Sequence, residues 1–360
     1  MSTTQQRTEH SQDATPPPVV TAQGRPLGFE RTVPRGLVHR ASIGEVFVTD
    51  AAVLGVNRYV VAAQLPRGHA LYGDRNDEHY DPLIVVEACR QASILACHEF
   101  YGVPTDWAFV FRKVTVEVIE PEALRIGDAP GRLEIIAEFD RLRFDKVGRL
   151  KRAGVCYEAR LDGLSICAGL LRGAARRLSI CAELSGSLSF MPREQFARLR
   201  QEGRAAKSLE GPGVPVNRAV APIAPERVGR LNRRNVVIAE PSHDTEGRLT
   251  YEVVVDTTHP SLCDHQVDHV SGMLLTEACR QAALCAASEF DGKQIPAVRA
   301  LPTYFEVAFQ DFVEHELPSY CRVTEIAERD GGDTVDVAIE LVQGEGVAIG
   351  TARVQVMSCQ

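Results

Sequence analysis

The pattern of apolar and polar positions divides the chain into two similar halves, each containing one long helix. Residues 82–101 place apolar side chains on nearly every side of a helix, and residues 271–290 repeat that pattern. Asp81 before Pro82 is typical of a helix start, and Gly102 predicts the end of this first helix. Both segments therefore predict a long helix that is buried on most of its faces.

Short β-branched or alternating segments flank each helix and predict strands. In the first half they are 43–49, 58–64, 107–119, 132–139, 155–161 and 164–171, and in the second 235–238, 251–255, 304–309, 322–327, 335–342 and 346–356. An antiparallel sheet wrapped around a central helix buries a helix of this kind. The predicted fold class is α+β, a tandem (double) hotdog whose two sheets join edge to edge and so lose two exposed edges.

The segments outside these halves differ in composition. Residues 1–36 are rich in Thr, Gln, Ser and Pro and predict a disordered tail. The first hotdog domain is expected at 37–175 and the second at 227–360. Between them, residues 176–226 are interpreted as a linker that contains a surface helix near 192–203.

The most specific signal is a repeated hexapeptide. Glu-Ala-Cys-Arg-Gln-Ala occupies 87–92 and again 277–282, an offset of 190 residues that also relates His69 to His259. Self-similarity at a fixed offset indicates a tandem duplication. Positions i, i+3 and i+4 share one face of a helix. Each helix therefore carries one polar face, formed by Glu87, Arg90 and Gln91 or by Glu277, Arg280 and Gln281.

Two interpretations of these polar faces remain open. In a structural one, Glu and Arg form a buried ion pair and Gln satisfies the carbonyl of a strand. In a functional one, the charges act in chemistry, since burying a charge is costly unless it is paired or used. Because both copies keep all three residue types, the functional interpretation is favoured.

Composition and charge narrow the class of protein. The chain has 360 residues, 44% hydrophobic and 24% charged, typical of a soluble globular protein. A net charge of −8 argues against nucleic-acid binding. No apolar run approaches the roughly 18 residues that span a bilayer, and the first residues lack a secretory pattern, so no membrane partner and a cytoplasmic location are expected.

Local basic clusters allow two interpretations. They are either solvated flanks or a docking patch for an acidic carrier protein, attracted by charge. The clusters are Arg172, Arg176 and Arg177, and Arg230, Arg233 and Arg234.

Cysteines and loop histidines give no specific metal or cofactor signal. The cysteines are scattered without a C-x-x-C spacing, and those within the two helices are interpreted as small core residues. The segment 264–269 contains two His and two Asp, but at no known metal-ligand spacing. No metal and no cofactor are predicted. His265 and His269 are either contributors to a substrate site or ordinary loop residues.

The helix starts carry a resemblance to known families. The segment from His269 to Gln281 is similar to the Pro-Gly-x-Leu-x-x-Glu-Ala-x-x-Gln signature of β-hydroxyacyl-carrier-protein dehydratases. Its counterpart from Asp81 to Gln91 resembles the Asp-Pro-Leu/Met…Glu-x-x-Arg-Gln element of the A-factor biosynthesis (AfsA-type) hotdog family. In that family both halves carry Glu-x-x-Arg-Gln after a His/Asp-rich loop, as here. The resemblance covers roughly residues 38–358.

This resemblance implies a γ-butyrolactone-type signalling-molecule synthase. Such an enzyme transfers a β-ketoacyl chain from an acyl-carrier-protein thioester to dihydroxyacetone phosphate, and the ester then condenses to a phosphorylated butenolide. The alternatives are a hotdog thioesterase or dehydratase, or a non-catalytic acyl-binding module. The usual dehydratase histidine position, fourteen residues before each helix Glu, holds Cys263 and Gly73, which argues against dehydration. Acyl chain length and oligomeric state stay open.

Acyl transfer to an alcohol needs a base, donors for the oxyanion and a place for the phosphate. Glu277 or Glu87 is expected to be the base, with a pKa raised by burial. Arg280 is expected to bind phosphate or the oxyanion through its planar fork. The other expected substrate-binding residues are Arg90, Gln91, Gln281, Gly272, Asp81, His265 and His269.

The two helix starts differ at one decisive position. Gly272 corresponds to Pro82 by the 190-residue offset, and proline has no N–H to donate. Backbone N–H groups at a helix start bind developing negative charge. We therefore expect inequivalent sites, with the thioester carbonyl at the second helix.

Overall fold

The chain forms one large antiparallel sheet. The computed structural model describes residues 24–75, 78–118, 121–161, 164–166, 186–216, 218–290, 296–329, 334–344 and 346–358. Within these ranges the strands are β1 (Val48–Gly55), β2 (Arg58–Leu65), β3 (Ala108–Glu117), β4 (Gly131–Phe144), β5 (Leu150–Leu161), β6 (Leu164–Ile166), β7 (Gly186–Met191), β8 (Ser242–His243), β9 (Leu249–Glu252), β10 (Ala300–Phe309), β11 (Ser319–Glu328), β12 (Thr334–Gln343) and β13 (Val347–Ser358). Their order is β1-β2-β4-β5-β7-β3-β10-β13-β12-β11-β9-β8, with β6 beside β5.

Two long helices pack against this sheet, one in each half. Helix α1 (Pro82–Tyr101) contacts β1, β2, β4 and β5, and helix α3 (Gly272–Ser288) contacts β10 to β13. Most side chains of both helices are buried, as their all-round apolar pattern predicts. The start of α1 is capped by Asp81, whose Oδ1 accepts the Leu83 N–H at 3.0 Å, and its end lies at Gly102 in the left-handed region (φ 62°).

The two halves of the sheet meet where β3 pairs with β10. Glu117 lies opposite Tyr304 and Val114 lies opposite Val307. A shift of 190 residues exchanges these two pairs, so a local two-fold axis passes through the junction. The duplication in the sequence is therefore also a symmetry of the structure, and equivalent residues of the two halves face one another across this axis.

Two predicted strands are wrong in part. Residues 43–45 of the first form a 3₁₀ turn, and β1 begins only at Val48. The second, predicted at 235–238, begins in a 3₁₀ turn over 233–235, and Ile238 makes an isolated bridge with Val253 in place of a strand. The Ser42 hydroxyl accepts the Gly44 N–H, and the Asn232 side chain accepts the Arg234 N–H at 3.0 Å. Such local side-chain bonds to the backbone compete with strand pairing, which β-branched composition alone does not reveal.

The segment predicted as a disordered tail is partly ordered against β1. Arg25 donates from Nη2 to Asp50 Oδ1 at 2.8 Å, and the Val33 N–H donates to the Val48 carbonyl at 3.0 Å. Residues 1–23 lie outside the described part of the chain. The domain boundaries at 37–175 and 227–360 stay a prediction.

The predicted surface helix of the linker is present as α2 (Arg193–Ala206). It packs on the second half through Arg200 and Arg204, whose side chains are buried. Across the described ranges, none of the helices has the length and apolar character needed to cross a bilayer.

Candidate active site

The polar face of α1 is a buried charge cluster. Glu87 Oε1 accepts Arg40 Nε at 3.1 Å and Gln91 Nε2 at 2.7 Å, while its Oε2 accepts Arg90 Nε at 2.8 Å. The Glu87 side chain is fully buried, whereas the Arg90 side chain is 20% exposed. Glu87 therefore pairs with two arginines, of which Arg90 is the more exposed.

Gln91 and Gln281 tie their helices to the chain that leads into the sheet. Gln91 donates to the Glu45 carbonyl at 2.7 Å and accepts the Phe47 N–H at 2.9 Å. Gln281 donates to the Asn235 carbonyl at 2.7 Å and accepts the Val237 N–H at 2.9 Å. For the glutamines, these contacts favour the structural interpretation.

The polar face of α3 repeats this cluster and adds a second carboxylate. Glu277 accepts Arg280 Nε at 2.8 Å and Arg230 Nε at 3.0 Å, and it also accepts the Gln281 amide. Arg230 lies 3.2 Å from Asp81, the residue that caps α1, and both side chains are fully buried. Two arginines here meet two carboxylates in a site without solvent.

Arg40 and Arg230 also connect the two halves. Arg230 Nη1 donates to the Leu71 carbonyl at 2.7 Å, and Arg40 Nη1 donates to the Ser261 carbonyl at 3.5 Å. Each arginine thus comes from one half and holds the loop of the other.

The interpretation of Arg230 as part of an exposed basic cluster is wrong, because its side chain is buried. Arg172, Arg176 and Arg177 lie outside the described residues.

The expectation that burial raises the pKa of the helix glutamates is wrong. Burial alone would raise the pKa of Glu87, but the charges of Arg40 and Arg90 outweigh it and lower the pKa to about 2. At Glu277, burial is likewise outweighed by Arg230 and Arg280, and the pKa is lowered. Carboxylates this acidic, with their oxygens engaged by arginines, are poor general bases near neutral pH.

The low pKa of Glu87 predicts an acid-sensitive fold. The ordinary glutamate pKa is 4.5 and the folded value is about 2, so about 3 kcal/mol of stability is present above pH 4.5 and lost as the pH falls towards 2. Urea unfolding midpoints between pH 6 and pH 3 measure this loss. Glu87→Gln should flatten the pH dependence in that window, and an unchanged slope would contradict the prediction.

A cavity of about 230 Å³ opens between the start of α3 and the polar face of α1. Its apolar wall includes Phe109, Phe111, Val114, Met273, Leu275 and Phe309. Its polar lining includes Arg40, Arg90, Arg112, His265 and His269, together with Ser271 and Gly272. Of the predicted site residues, the cavity brings together Arg90, Gly272, His265 and His269.

The symmetry-related position is almost closed. There Asp81, Pro82, Arg280 and Pro302 surround only about 10 Å³. Asp81 occupies the place of Ser271, and burial, which would raise its pKa, is outweighed by Arg280 and Arg230, which lower it. The proline ring of residue 82 fills the space that Gly272 leaves open in the other half. Arg280 is therefore packed inside the protein rather than presented to a ligand.

Sequence differences at three pairs of equivalent positions distinguish the open site from the closed one. Ser271 replaces Asp81 and removes a carboxylate, while Gly272 replaces Pro82 and adds an N–H. Arg112 replaces Pro302 and adds a cation. Arg112 lies at a register shift between β3 and β7, the kind of bulge that redirects a side chain.

Arg112 has no hydrogen-bond or ion-pair partner among the described residues, and its side chain is half-buried. The acidic groups that line the open cavity are already engaged. Asp264 accepts the N–H groups of Ala41 at 2.6 Å and Ser42 at 2.9 Å, and Asp311 pairs with Lys207 at 2.9 Å. Asp311 is balanced by Lys207, and the arginines Arg40, Arg90 and Arg112 outnumber the carboxylates of Glu87 and Asp264, so the open site carries a net positive charge.

The repeated histidine His259 and the helix cysteines lie in surroundings that indicate structural roles. His259 Nε2 lies 2.9 Å from Asn235 Oδ1, and burial lowers the pKa of His259 to about 4. Burial raises the pKa of the Cys89 and Cys279 thiols, and for Cys279 a hydrogen bond with Cys321 is the larger cause. In the described ranges no group of three or more His, Cys, Asp or Glu side chains is arranged to hold a metal ion.

Sequence reasoning predicted His269 but missed its pairing with Asp268, and it missed Arg40 and Arg112. The 190-residue offset could have found two of these, because it relates Arg40 to Arg230 and Asp268–His269 to Glu78–His79. Nothing local in the sequence marks Arg112, since its importance depends on the three-dimensional contrast with Pro302.

The family of this chain follows from its sequence relatives. A profile of the A-factor biosynthesis hotdog domain, AfsA, matches residues 21–174 and again 214–360. The chain belongs to this family and has a hotdog fold.

Curated relatives carry one enzyme name. The chain is 32% identical over 302 residues to the 2-oxo-3-(phosphooxy)propyl 3-oxoalkanoate synthase of Streptomyces virginiae, covering 84% of this chain and 90% of that protein. It is 30% identical over 251 residues to the synthase of the same name from Streptomyces coelicolor, covering 70% and 71%. Among solved structures, the dehydratase domain from the CurJ module of curacin polyketide synthase covers 87% of this chain and 97% of its own, with 10% identity and a TM-score of 0.45.

Proposed function

We propose that this protein is a 2-oxo-3-(phosphooxy)propyl 3-oxoalkanoate synthase, as its relatives are named. That name describes an ester between a β-keto acid and a hydroxyl of dihydroxyacetone phosphate. The enzyme is accordingly an acyltransferase that takes the β-ketoacyl chain from a thioester. The observation that carries this assignment to a particular site is the open cavity, which combines an apolar wall with a net positive charge from its arginines.

The apolar wall suits the acyl chain. Phe109, Phe111 and Met273 lie on the side of the cavity that approaches the start of α3. An alkyl chain buried there gains about 0.8 kcal/mol per methylene removed from water. Chain length would then be read by the depth of the cavity between the sheet and the helix.

The start of α3 suits the thioester carbonyl. Ser271 caps the helix by accepting the Leu274 N–H at 3.2 Å, which leaves the Gly272 N–H without a partner among the described residues. An N–H at this position, supported by the helix dipole, stabilises the oxyanion of the tetrahedral intermediate. Pro82 deprives the other helix start of this donor.

The arginines suit the phosphate of the acceptor. Arg90 keeps its Glu87 contacts and still presents a partly exposed guanidinium, and Arg112 has no partner to release before binding. Arg40 lies behind them and adds positive charge. The sequence predicted the phosphate contact at Arg280. This proposal assigns it to Arg90 and Arg112 instead.

Glu87 and Glu277 have positioning roles in this proposal. Neither lines the cavity, and each holds two arginines in place. Three finer points complete the proposal: the chain folds as two hotdog units side by side, the thioester donor is an acyl carrier protein, and the enzyme is cytoplasmic.

The proposed reaction predicts thiol release that depends on the acceptor. Purified protein is mixed with a β-ketoacyl thioester in the presence or absence of dihydroxyacetone phosphate, and the free thiol is measured with a chromogenic disulfide. Release only with the phosphate compound supports the transferase. Equal release without it indicates a thioesterase, and no release in either mixture would contradict an enzyme acting on these substrates.

Loss of Arg112 should weaken acceptor binding specifically. A hydrogen bond to a charged group contributes about 1.5–3 kcal/mol, so Arg112→Ala should raise the KM for dihydroxyacetone phosphate about 10- to 100-fold. The KM for the thioester should change little, because Arg112 is assigned to the phosphate. Arg198→Ala, on an exposed position of α2, is the matched control. An unchanged acceptor KM in Arg112→Ala would refute the phosphate assignment.

A further inference from the structure

A histidine beside the start of α3 is held in one orientation by its neighbour in the chain. The Nδ1 atom of His269 lies 2.7 Å from Asp268 Oδ1. The His269 side chain lines the open cavity and is 21% exposed. Its Nε2 has no hydrogen-bond partner among the described residues. A carboxylate on Nδ1 selects the tautomer in which Nε2 is free to accept a proton.

The carboxylate of Asp268 is itself fixed by α2. Arg200 Nε donates to Asp268 Oδ2 at 2.9 Å, and Arg200 Nη2 donates to the Asp268 carbonyl at 3.1 Å. The rest of this guanidinium is bound by Glu314 at 2.8 and 2.6 Å. The Arg200 side chain is only 3% exposed, so the helix between the two halves contributes a buried group next to the cavity.

Aromatic rings fix the imidazole from the sides. Phe312 meets His269 edge-on with ring centres 4.9 Å apart, and Phe196 of α2 lies 6.3 Å away. Phe312 also packs under the Arg200 guanidinium at 4.7 Å. The imidazole ring thus has few alternative orientations. The conformational entropy of aligning it is lost on folding, not during the reaction.

The symmetry-related pair lacks these features. Glu78–His79 occupies the equivalent positions, but Glu78 pairs with Arg125 at the surface and His79 lies 3.6 Å from Glu122. Helix α2 has no counterpart in the first half within the described residues. The histidine with a fixed orientation, His269, therefore belongs to the half with the open cavity. Its counterpart His79, which lacks these contacts, belongs to the half with the closed one.

We propose that His269 is the proton-transfer residue of the acyl transfer, with Asp268 as the group that orients it and Arg200 as a positioning residue. This inference rests on the proposed function. Nε2 takes the proton of the acceptor hydroxyl while the hydroxyl oxygen forms its bond to the thioester carbonyl carbon. When the tetrahedral intermediate collapses, the C–S bond breaks and the thiolate sulfur takes the proton back from Nε2. The products are the ester and the free thiol, and the histidine is restored.

This assignment fills the role that the helix glutamates were expected to have. Glu87 and Glu277 do not line the cavity, and their oxygens are occupied by arginines. His269 is three residues before Gly272, so the base and the oxyanion donor lie on one short segment. The acceptor phosphate on Arg90 and Arg112 would place a hydroxyl between these two groups.

The test compares His269→Ala with His79→Ala, its repeat counterpart. General-base catalysis contributes about 10²- to 10⁴-fold, so His269→Ala should lower kcat for acceptor-dependent thiol release by about that factor. Both KM values should stay close to those of the wild type, and added imidazole should restore part of kcat. His79→Ala should keep the wild-type kcat.

Further variants separate chemistry from folding. His269→Asn retains a group able to bond Asp268, so it should fold even if the alanine variant does not, and it should be equally slow. Arg200→Gln should lower kcat without changing either KM and without rescue by imidazole, because the ring is still present.

The outcomes distinguish this inference from the function on which it rests. Wild-type protein without acceptor-dependent release would overturn the proposed function and this role together. An active wild type with a folded His269→Asn variant of equal kcat would overturn the role of His269 alone.

Discussion

Replacement of Gly272 with proline is expected to lower kcat about 100- to 1,000-fold while leaving the protein folded. The substitution removes one N–H from the cavity, the donor assigned to the oxyanion. The backbone accepts proline here, because residue 272 is the first residue of α3 and Ser271 is extended (φ −63°, ψ 142°). A Cβ at this position would lie 3.6 Å from Phe309, an ordinary contact.

Gly272→Ala is the matched control, since it adds a similar Cβ but keeps the N–H. Steady-state kinetics on both variants, with circular dichroism to verify folding, separate the effect of an added Cβ from that of the proline, which lacks the N–H and also carries a ring. If alanine reduced kcat as strongly as proline, the effect would be steric. If proline left kcat unchanged, the oxyanion would not be bound at this helix start.

Replacement of Glu277 with alanine is expected to cost about 3–5 kcal/mol of the free energy of unfolding. Arg230 and Arg280 are fully buried and both donate to this carboxylate. Without it they would keep their charge in a site without solvent, with Asp81 as the remaining carboxylate. Urea unfolding midpoints at neutral pH measure the loss.

Glu87→Ala should cost less than Glu277→Ala, although the two residues are equivalent by the repeat. Arg90 is 20% exposed and faces the open cavity, so water solvates its charge once Glu87 is removed. Glu99→Ala, at an exposed position of α1, should stay within about 0.5 kcal/mol of the wild type. Equal costs at positions 87 and 277 would mean that the open cavity does not relieve the charge.

The helices and most strands were predictable because their signals are local. Asp81, Pro82 and Gly102 mark the bounds of α1 through cap chemistry that acts within a few residues. The strands with alternating burial, such as β12, carry a period of two that needs no tertiary knowledge. The failures near positions 43 and 235 arose where short side chains bonded the neighbouring backbone.

The site was predictable only in part, because its residues meet across the local two-fold axis. The sequence contrast between Gly272 and Pro82 predicted inequivalent helix starts, and the cavities differ in size at these two places. The partner of Gly272, however, is Arg90 of the first helix rather than Arg280 of its own. Sequence proximity favours residues on the same helix, whereas a two-fold axis places the start of one helix beside the polar face of the other.

Because both copies of the repeat lie in one chain, their equivalent positions can change independently. In a dimer of two identical chains, each substitution appears in both sites, so a closing proline would abolish every site at once. Fusion of two copies into one chain lets positions 82 and 272, or 112 and 302, change separately. In this chain the closed position is a buried ion-paired support, and substitutions at the open one can alter the cavity without disturbing that support.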